Sequence, residues 1–209
     1  MKTTQSFTGD VKLTKLNGFV IALAFLATSC SYALAQDGQS RVAAHQHSAT
    51  PGLTTQATAL INIVRESTAR FQAPSAAVSE GYHLKFGCVS GPDSGAMGLH
   101  YVNDTILGSG VIDARRPQIV IYEPQADGSL KLIGADYLVF ADQWDSDPSH
   151  HGPPELMGQL FHYFEAPNRF GLPAFYTLHV WAWKDNPNGA FVNWHPNVNC
   201  SAFNSLESR

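Results

Sequence analysis

Three histidines sit inside apolar runs, where a buried imidazole must find a partner for each ring nitrogen. They are His100 in Gly98-Leu99-His100-Tyr101, His162 in Leu160-Phe161-His162-Tyr163-Phe164, and His179 in Leu178-His179-Val180-Trp181. Glu123 follows the apolar run from Gln118 to Tyr122. Two neutral nitrogen donors and one anionic oxygen, with positions left open for water, form a donor set for Zn²⁺ or a non-haem Fe²⁺. His100, Glu123 and His179 are therefore the candidate metal ligands, a divalent transition metal (Zn or Fe) is the candidate cofactor, and His162 is a fourth member or a bystander. No H-E-x-x-H signature accompanies them. The competing reading is a set of core histidines hydrogen-bonded to Tyr, Asp or the backbone.

Period two along a strand places Phe175, Thr177, His179, Trp181 and Trp183 on one face, and Tyr176, Leu178, Val180 and Ala182 on the other. Thr177, Trp181 and Trp183 thus become the walls of a candidate small-molecule pocket whose polar point is His179. Such an aromatic set equally reads as the core of a small sheet. A second cluster, Asp142, Asp145, Asp147, His150 and His151, falls in a loop and suits either weak metal capture or solvated charge. Asp136 and Glu123 are a conceivable carboxylate pair for glycoside hydrolysis. Gly108-Ser109-Gly110 is not a nucleophile elbow, and no glycine-rich phosphate cradle leads from a strand into a helix. The sequence assigns no reaction, so whether the protein is an enzyme stays open.

The elements that must position these groups follow from periodicity. Leu53, Ala57, Leu60, Ile61, Val64, Thr68 and Phe71 recur at three and four, which predicts an amphipathic helix interrupted by Pro74. A short turn of helix is expected over 75–80, with Gly81 as its stop. Beyond it the chain reads as strands at 82–89, 97–102, 118–122, 130–133, 137–140 and 175–183, the last ended by Asp185-Asn186-Pro187-Asn188-Gly189. The expected class is α+β: an N-terminal amphipathic helix packed on an antiparallel β-sheet in a single domain, 53–209.

In front of that domain lies a leader. Lys2, Lys12 and Lys15 precede an apolar stretch from Gly18 to Ala27 and the small residues Ala33-Leu34-Ala35, the pattern of a secretory signal peptide over 1–35. A lipoprotein reading instead makes Cys30 a lipid anchor, and a retained anchor helix is disfavoured by the shortness of the stretch. Residues 36–52 read as a flexible tether, and His45 and His47 within it carry no assigned role. Either cleavage leaves Cys88 and Cys200 as thiols, so export to an oxidising compartment, periplasmic or secreted, makes a Cys88–Cys200 disulfide the default over a pair of metal thiolates. Of the 13 basic and 17 acidic residues, the leader holds three lysines and Asp10, leaving 10 and 16 and a net charge of −6. That balance excludes the basic excess that nucleic acid requires, and no other stretch has the length of a membrane span. A small molecule or metal ion is the expected partner, and a structural envelope protein is the remaining alternative.

Several blocks carry a resemblance. Gly95-Ala96-Met97-Gly98-Leu99-His100-Tyr101, Arg116-Pro117 through Tyr122-Glu123-Pro124, and Leu178 to Phe191 closing at Trp194-His195-Pro196-Asn197-Val198-Asn199-Cys200 are similar to a family of small exported bacterial proteins of unassigned activity. In that family Asn often stands at the position of His195, and Glu at that of Asp136. The resemblance implies export and a compact domain ending in a cysteine. It implies no reaction.

Overall fold

The computed structural model describes residues 53–203, so the leader, the tether and the alternatives at Cys30 lie outside the described residues. The fold is α+β, with helices set against a curled antiparallel sheet, and the described residues belong to one structural unit. Helix α1 (Thr55–Thr68) opens at Thr54, whose hydroxyl accepts from the Ala57 amide at 3.1 Å and satisfies one orphan donor of the first turn. A 3₁₀ turn (Ala69–Gln72) and helix α2 (Pro74–Ser79) follow, with proline at the first helical position, where no amide partner is needed.

Six strands form the main sheet in the order β1-β2-β3-β4-β8-β7, all antiparallel: β1 (Tyr82–Gly91), β2 (Gly95–Asn103), β3 (Ile119–Pro124), β4 (Leu130–Phe140), β7 (His162–Phe164) and β8 (Phe175–Val180). Between them lie the short helices α3 (Asp104–Gly108) and α4 (Ala141–Asp145), and a hairpin of β5 (Glu155–Leu156) with β6 (Gln159–Leu160). Both faces of the central strands are covered, hence the nearly unbroken burial of β3, β4 and β8. On one face Leu60, Ile61 and Val64 of α1 join Ala135, Tyr137, Val139, Leu178 and Val180 in a core cluster. The opposite face carries Ile119, Ile121, Leu138, Phe175 and Trp181.

Strands 130–133 and 137–140, expected as separate runs, are one strand of 11 residues. The apparent break at Gly134-Ala135-Asp136 is a bulge rather than a turn: the register steps from Ile121↔Gly134 to Tyr122↔Leu132, leaving Ile133 unpaired. Gly134 is required there, because a Cβ would meet the Val180 carbonyl oxygen at 2.6 Å. Bulges of this kind increase coiling, and β1 bends likewise between Lys85 and Cys88. The curl decides the site: in a flat sheet β2 and β8, three strand steps apart, would lie roughly 14 Å from each other.

One disulfide, Cys88–Cys200, ties the β1 bulge to the C-terminal segment with Cα atoms 5.7 Å apart. Among the described residues no helix is long and apolar enough to cross a membrane.

Candidate metal centre

Three side chains from three strands meet on the concave face: His100 of β2, Asp136 of β4 and His179 of β8. Each offers one ligand atom, and those atoms lie within 4.8 Å of one another. Their residues are 5%, 2% and 2% exposed. Asp136 and His179 are direct cross-strand partners, so the ladder itself sets them side by side. His100 is brought across by the curl, and its Nε2 stands 3.4 Å from Nε2 of His179. Two nitrogens bound to a tetrahedral ion at 2.0–2.1 Å lie about 3.3–3.4 Å apart, the separation found here.

The hydrogen-bond pattern leaves this pair unsatisfied. Nδ1 of His100 lies 3.2 Å from the Gly98 carbonyl oxygen, which can only accept, so that nitrogen carries the proton and Nε2 presents a lone pair. Nδ1 of His179 lies 3.6 Å from Oδ1 of Asp136 and makes no well-formed hydrogen bond, and the Asn193 carbonyl oxygen, whose side chain acts on the same ring, makes none either. If that nitrogen carries the proton, two Nε2 lone pairs face each other. If Nε2 of His179 carries it instead, a lone pair faces the carboxylate. Neither neutral tautomer resolves the cluster, and a cation beside the two Nε2 atoms does.

Burial sets the electrostatics. It pushes the His100 imidazole down to about 4, with His179 adding to the effect, and the His179 imidazole down to about 3, with His162 adding and the Asn193 amide opposing. Burial also raises the Asp136 carboxyl to about 6, against the lowering by His100, by the hydroxyl of Thr177 and by the Leu178 amide. Thr177 donates to Oδ1 of Asp136 at 2.5 Å. At neutral pH the cluster therefore holds two neutral imidazoles and one carboxylate, the protonation states that a metal ion needs.

Other groups singled out in the sequence stand elsewhere. Glu123 is not beside His100 and His179; its carboxylate is held by Nζ of Lys184 at 2.7 and 2.8 Å. Asp136 takes its place because the β3–β4 register sets Asp136 opposite Ile119, whereas Glu123 stands opposite Lys131 near the other end of the ladder. The same separation removes Asp136 and Glu123 as a catalytic pair across one cleft. Trp181 stands behind His179, ring centres 5.8 Å apart, and donates to the Val192 carbonyl at 2.6 Å rather than bordering the cavity in front. Trp183 leaves the face altogether and donates to Thr68 Oγ1 of α1 at 3.0 Å. The reason is local: β8 ends at Val180, and the Ala182 amide bonds back to the Val180 carbonyl, a tight turn that resets the alternation. His162 is exposed on β7 opposite Thr177, outside the set.

In the acidic loop His150 stacks on Trp144 with ring centres 3.5 Å apart, Asp145 accepts from Tyr176, and Asp147 caps Ser149. Asp142 and Asp145 lie in α4 rather than a loop, and Asp145 is engaged by β8 while His150 and Asp147 make local contacts; His100, Asp136 and His179 form the one metal-capable cluster among the described residues. Asp136 had a sequence signal of its own kind, the one charged residue in the otherwise apolar stretch from Leu132 to Phe140. Set against known protein families, curated proteins and solved structures, the chain matches none of them.

Proposed function

We propose that this chain is an exported metal-binding domain that holds one divalent transition ion, zinc or iron(II), through Nε2 of His100 and Nε2 of His179, with Asp136 supplying the compensating anion. The observation that carries the reading is the pair of buried Nε2 atoms 3.4 Å apart with a carboxylate beside them and no well-formed hydrogen bond at Nδ1 of His179. Unpaired buried polar groups cost stability, and an ion removes that cost. Thr177 and Gly98 are the outer partners that hold Asp136 and the His100 ring in place.

Protons compete for the same site. When Asp136 is protonated it can donate to Nδ1 of His179, which then donates through Nε2 to His100, and the cluster is satisfied without metal. Above about pH 6 the carboxylate ionises and the demand for a cation returns. Export to a periplasmic or extracellular location is supported by the disulfide, which persists in oxidising compartments. The resemblance of the terminal block to small exported bacterial proteins points the same way.

Metal analysis of protein purified without a polyhistidine tag tests the reading. One equivalent of zinc or iron is expected in the wild type, retained more firmly at pH 7 than at pH 5. Absence of stoichiometric metal, together with thermal stability unaltered by chelator or by added metal, overturns it.

A further inference from the structure

The donor set closes one end of a small cavity whose other walls differ from it in kind. Apart from His100, Asp136, Thr177 and His179, every side chain bordering it is apolar, among them Phe86, Leu138, Phe164, Phe170, Leu172 and Phe175. Phe170 is the hub of the rim, with ring centres 5.7 Å from Phe86, 6.3 Å from Phe164 and 6.2 Å from Phe175. Asn168 fixes the loop that presents it: its Oδ1 accepts from the amides of Phe170 and Leu172 at 3.2 and 3.3 Å, and its Nδ2 donates to the Leu172 carbonyl at 2.9 Å. Opposite, Phe86 enters from the β1 bulge at φ +65°, a conformation that a bulky residue adopts only where its surroundings hold it.

The space inside this rim is about 30 Å³. One water needs roughly 10–15 Å³ and benzene occupies an engineered cavity of about 150 Å³, so the space suits two or three heavy atoms. Water there would find polar partners at one end only, and a hydrated anion would have to shed its shell against walls without donors.

Resting on the metal reading above, we infer that the molecule admitted to the open face of the ion is a neutral diatomic of low polarity, of the size and character of dioxygen or nitric oxide. Aryl and alkyl acids are excluded by the rim, and Phe170 is the residue that sets the limit.

The test uses the iron(II)-loaded protein under argon, titrated with nitric oxide and followed by electron paramagnetic resonance. Each bound iron is expected to give an iron–nitrosyl signal, and millimolar benzoate is expected to leave the nitric oxide titration unchanged. In Phe170→Ala benzoate reaches the ion and weakens nitric oxide binding by about tenfold or more. Iron that takes no nitric oxide, or wild-type iron that benzoate reaches as readily as in the variant, overturns the inference. Dioxygen pressure on the metal-free protein, read by paramagnetic broadening of the methyl resonances of Leu138 and Leu172, separates the two readings: broadening abolished by Leu172→Trp sustains the cavity argument if the protein takes up no iron, and its absence in the wild type overturns it.

Discussion

Asp136 and Glu123 are both buried carboxylates on neighbouring strands of one sheet, yet their surroundings are opposite. Glu123 has its counter-charge inside the protein: Lys184 donates to both of its oxygens and to the Asn197 carbonyl. Asp136 has no lysine or arginine beside it; its partners are a hydroxyl, an amide and two neutral imidazoles. A buried charge that the fold itself neutralises is a structural element, whereas one left facing neutral nitrogen donors has no counter-charge within the fold and must take up a proton or a cation. The disulfide joins the two regions, since Cys88 sits between Phe86 and Val89 of the cavity wall and Cys200 ends the segment that carries Asn197.

That junction is where the largest effect is expected. Replacing Cys88 and Cys200 by serine opens a closure spanning 112 residues and should cost about 4–5 kcal/mol in the chain-entropy view. Denaturant titration with and without reductant checks this, and both regions should loosen together; a loss confined to the Glu123 side would mean that the cavity wall does not depend on the bridge.

Next comes pH, which separates the two carboxylates because it acts on the cluster of His100, Asp136 and His179. From about pH 4 to 6 the native Asp136 is protonated and its histidines are neutral, while in the unfolded chain the aspartate, near 3.8, has ionised and both histidines, near 6.5, are protonated. These three groups give the unfolded state one net extra proton, so their contribution to stability rises with pH by about 1.4 kcal/mol per unit. Asp136 alone acts in the reverse sense: its raised value favours the folded state at low pH, and that support fades as pH climbs toward 6. Asp136→Asn removes the opposing part and should steepen the slope to about 2.8 kcal/mol per unit, a difference of about 3 kcal/mol across the window. Stability curves of metal-free wild type and variant between pH 4 and 6.5 measure it, and parallel curves would show that Asp136 does not titrate as its burial demands.

Metal sharpens the contrast further. At a free concentration one hundred times the dissociation constant, a bound ion stabilises the fold by about 2.7 kcal/mol. Thermal unfolding with added zinc should show this gain in the wild type and in Glu123→Gln, and lose it in His179→Ala and Asp136→Asn. The smallest effect belongs to the self-contained pair: Glu123→Gln should cost about 1–2 kcal/mol, at the low end for a charged hydrogen bond because Lys184 keeps some water contact. Lys184→Met added to Glu123→Gln should recover part of that loss, and a double-mutant cycle reads the coupling.

The legible parts of the molecule were those written in local pattern. Leu60, Ile61 and Val64 announced a helical stripe, Phe175 to Val180 a strand with His179 and Thr177 on one face, and two thiols a bridge. His100 and His179 could be named as donors because imidazoles inside apolar runs need partners. The choice of Glu123 over Asp136 shows where that reasoning stops. Both are single carboxylates at apolar strands, and what separates them is the register of β3 on β4 and the reach of Lys184 from 61 residues away. Trp183 failed for a shorter-range reason, a one-residue turn after Val180 that no periodicity reveals.

Composition and spacing by themselves determined the class of fold, the covalent closure and the kinds of atom available for chemistry, because burial periodicity, parity of thiols and donor type are properties of residues and their neighbours in the chain. Tertiary structure alone decided which carboxylate meets the imidazoles, how near the two rings come and how little room stands before them. Those depend on the bulge at Ile133, the side-chain-free position at Gly134 and the resulting curl, which carries strands three places apart to within reach of one another.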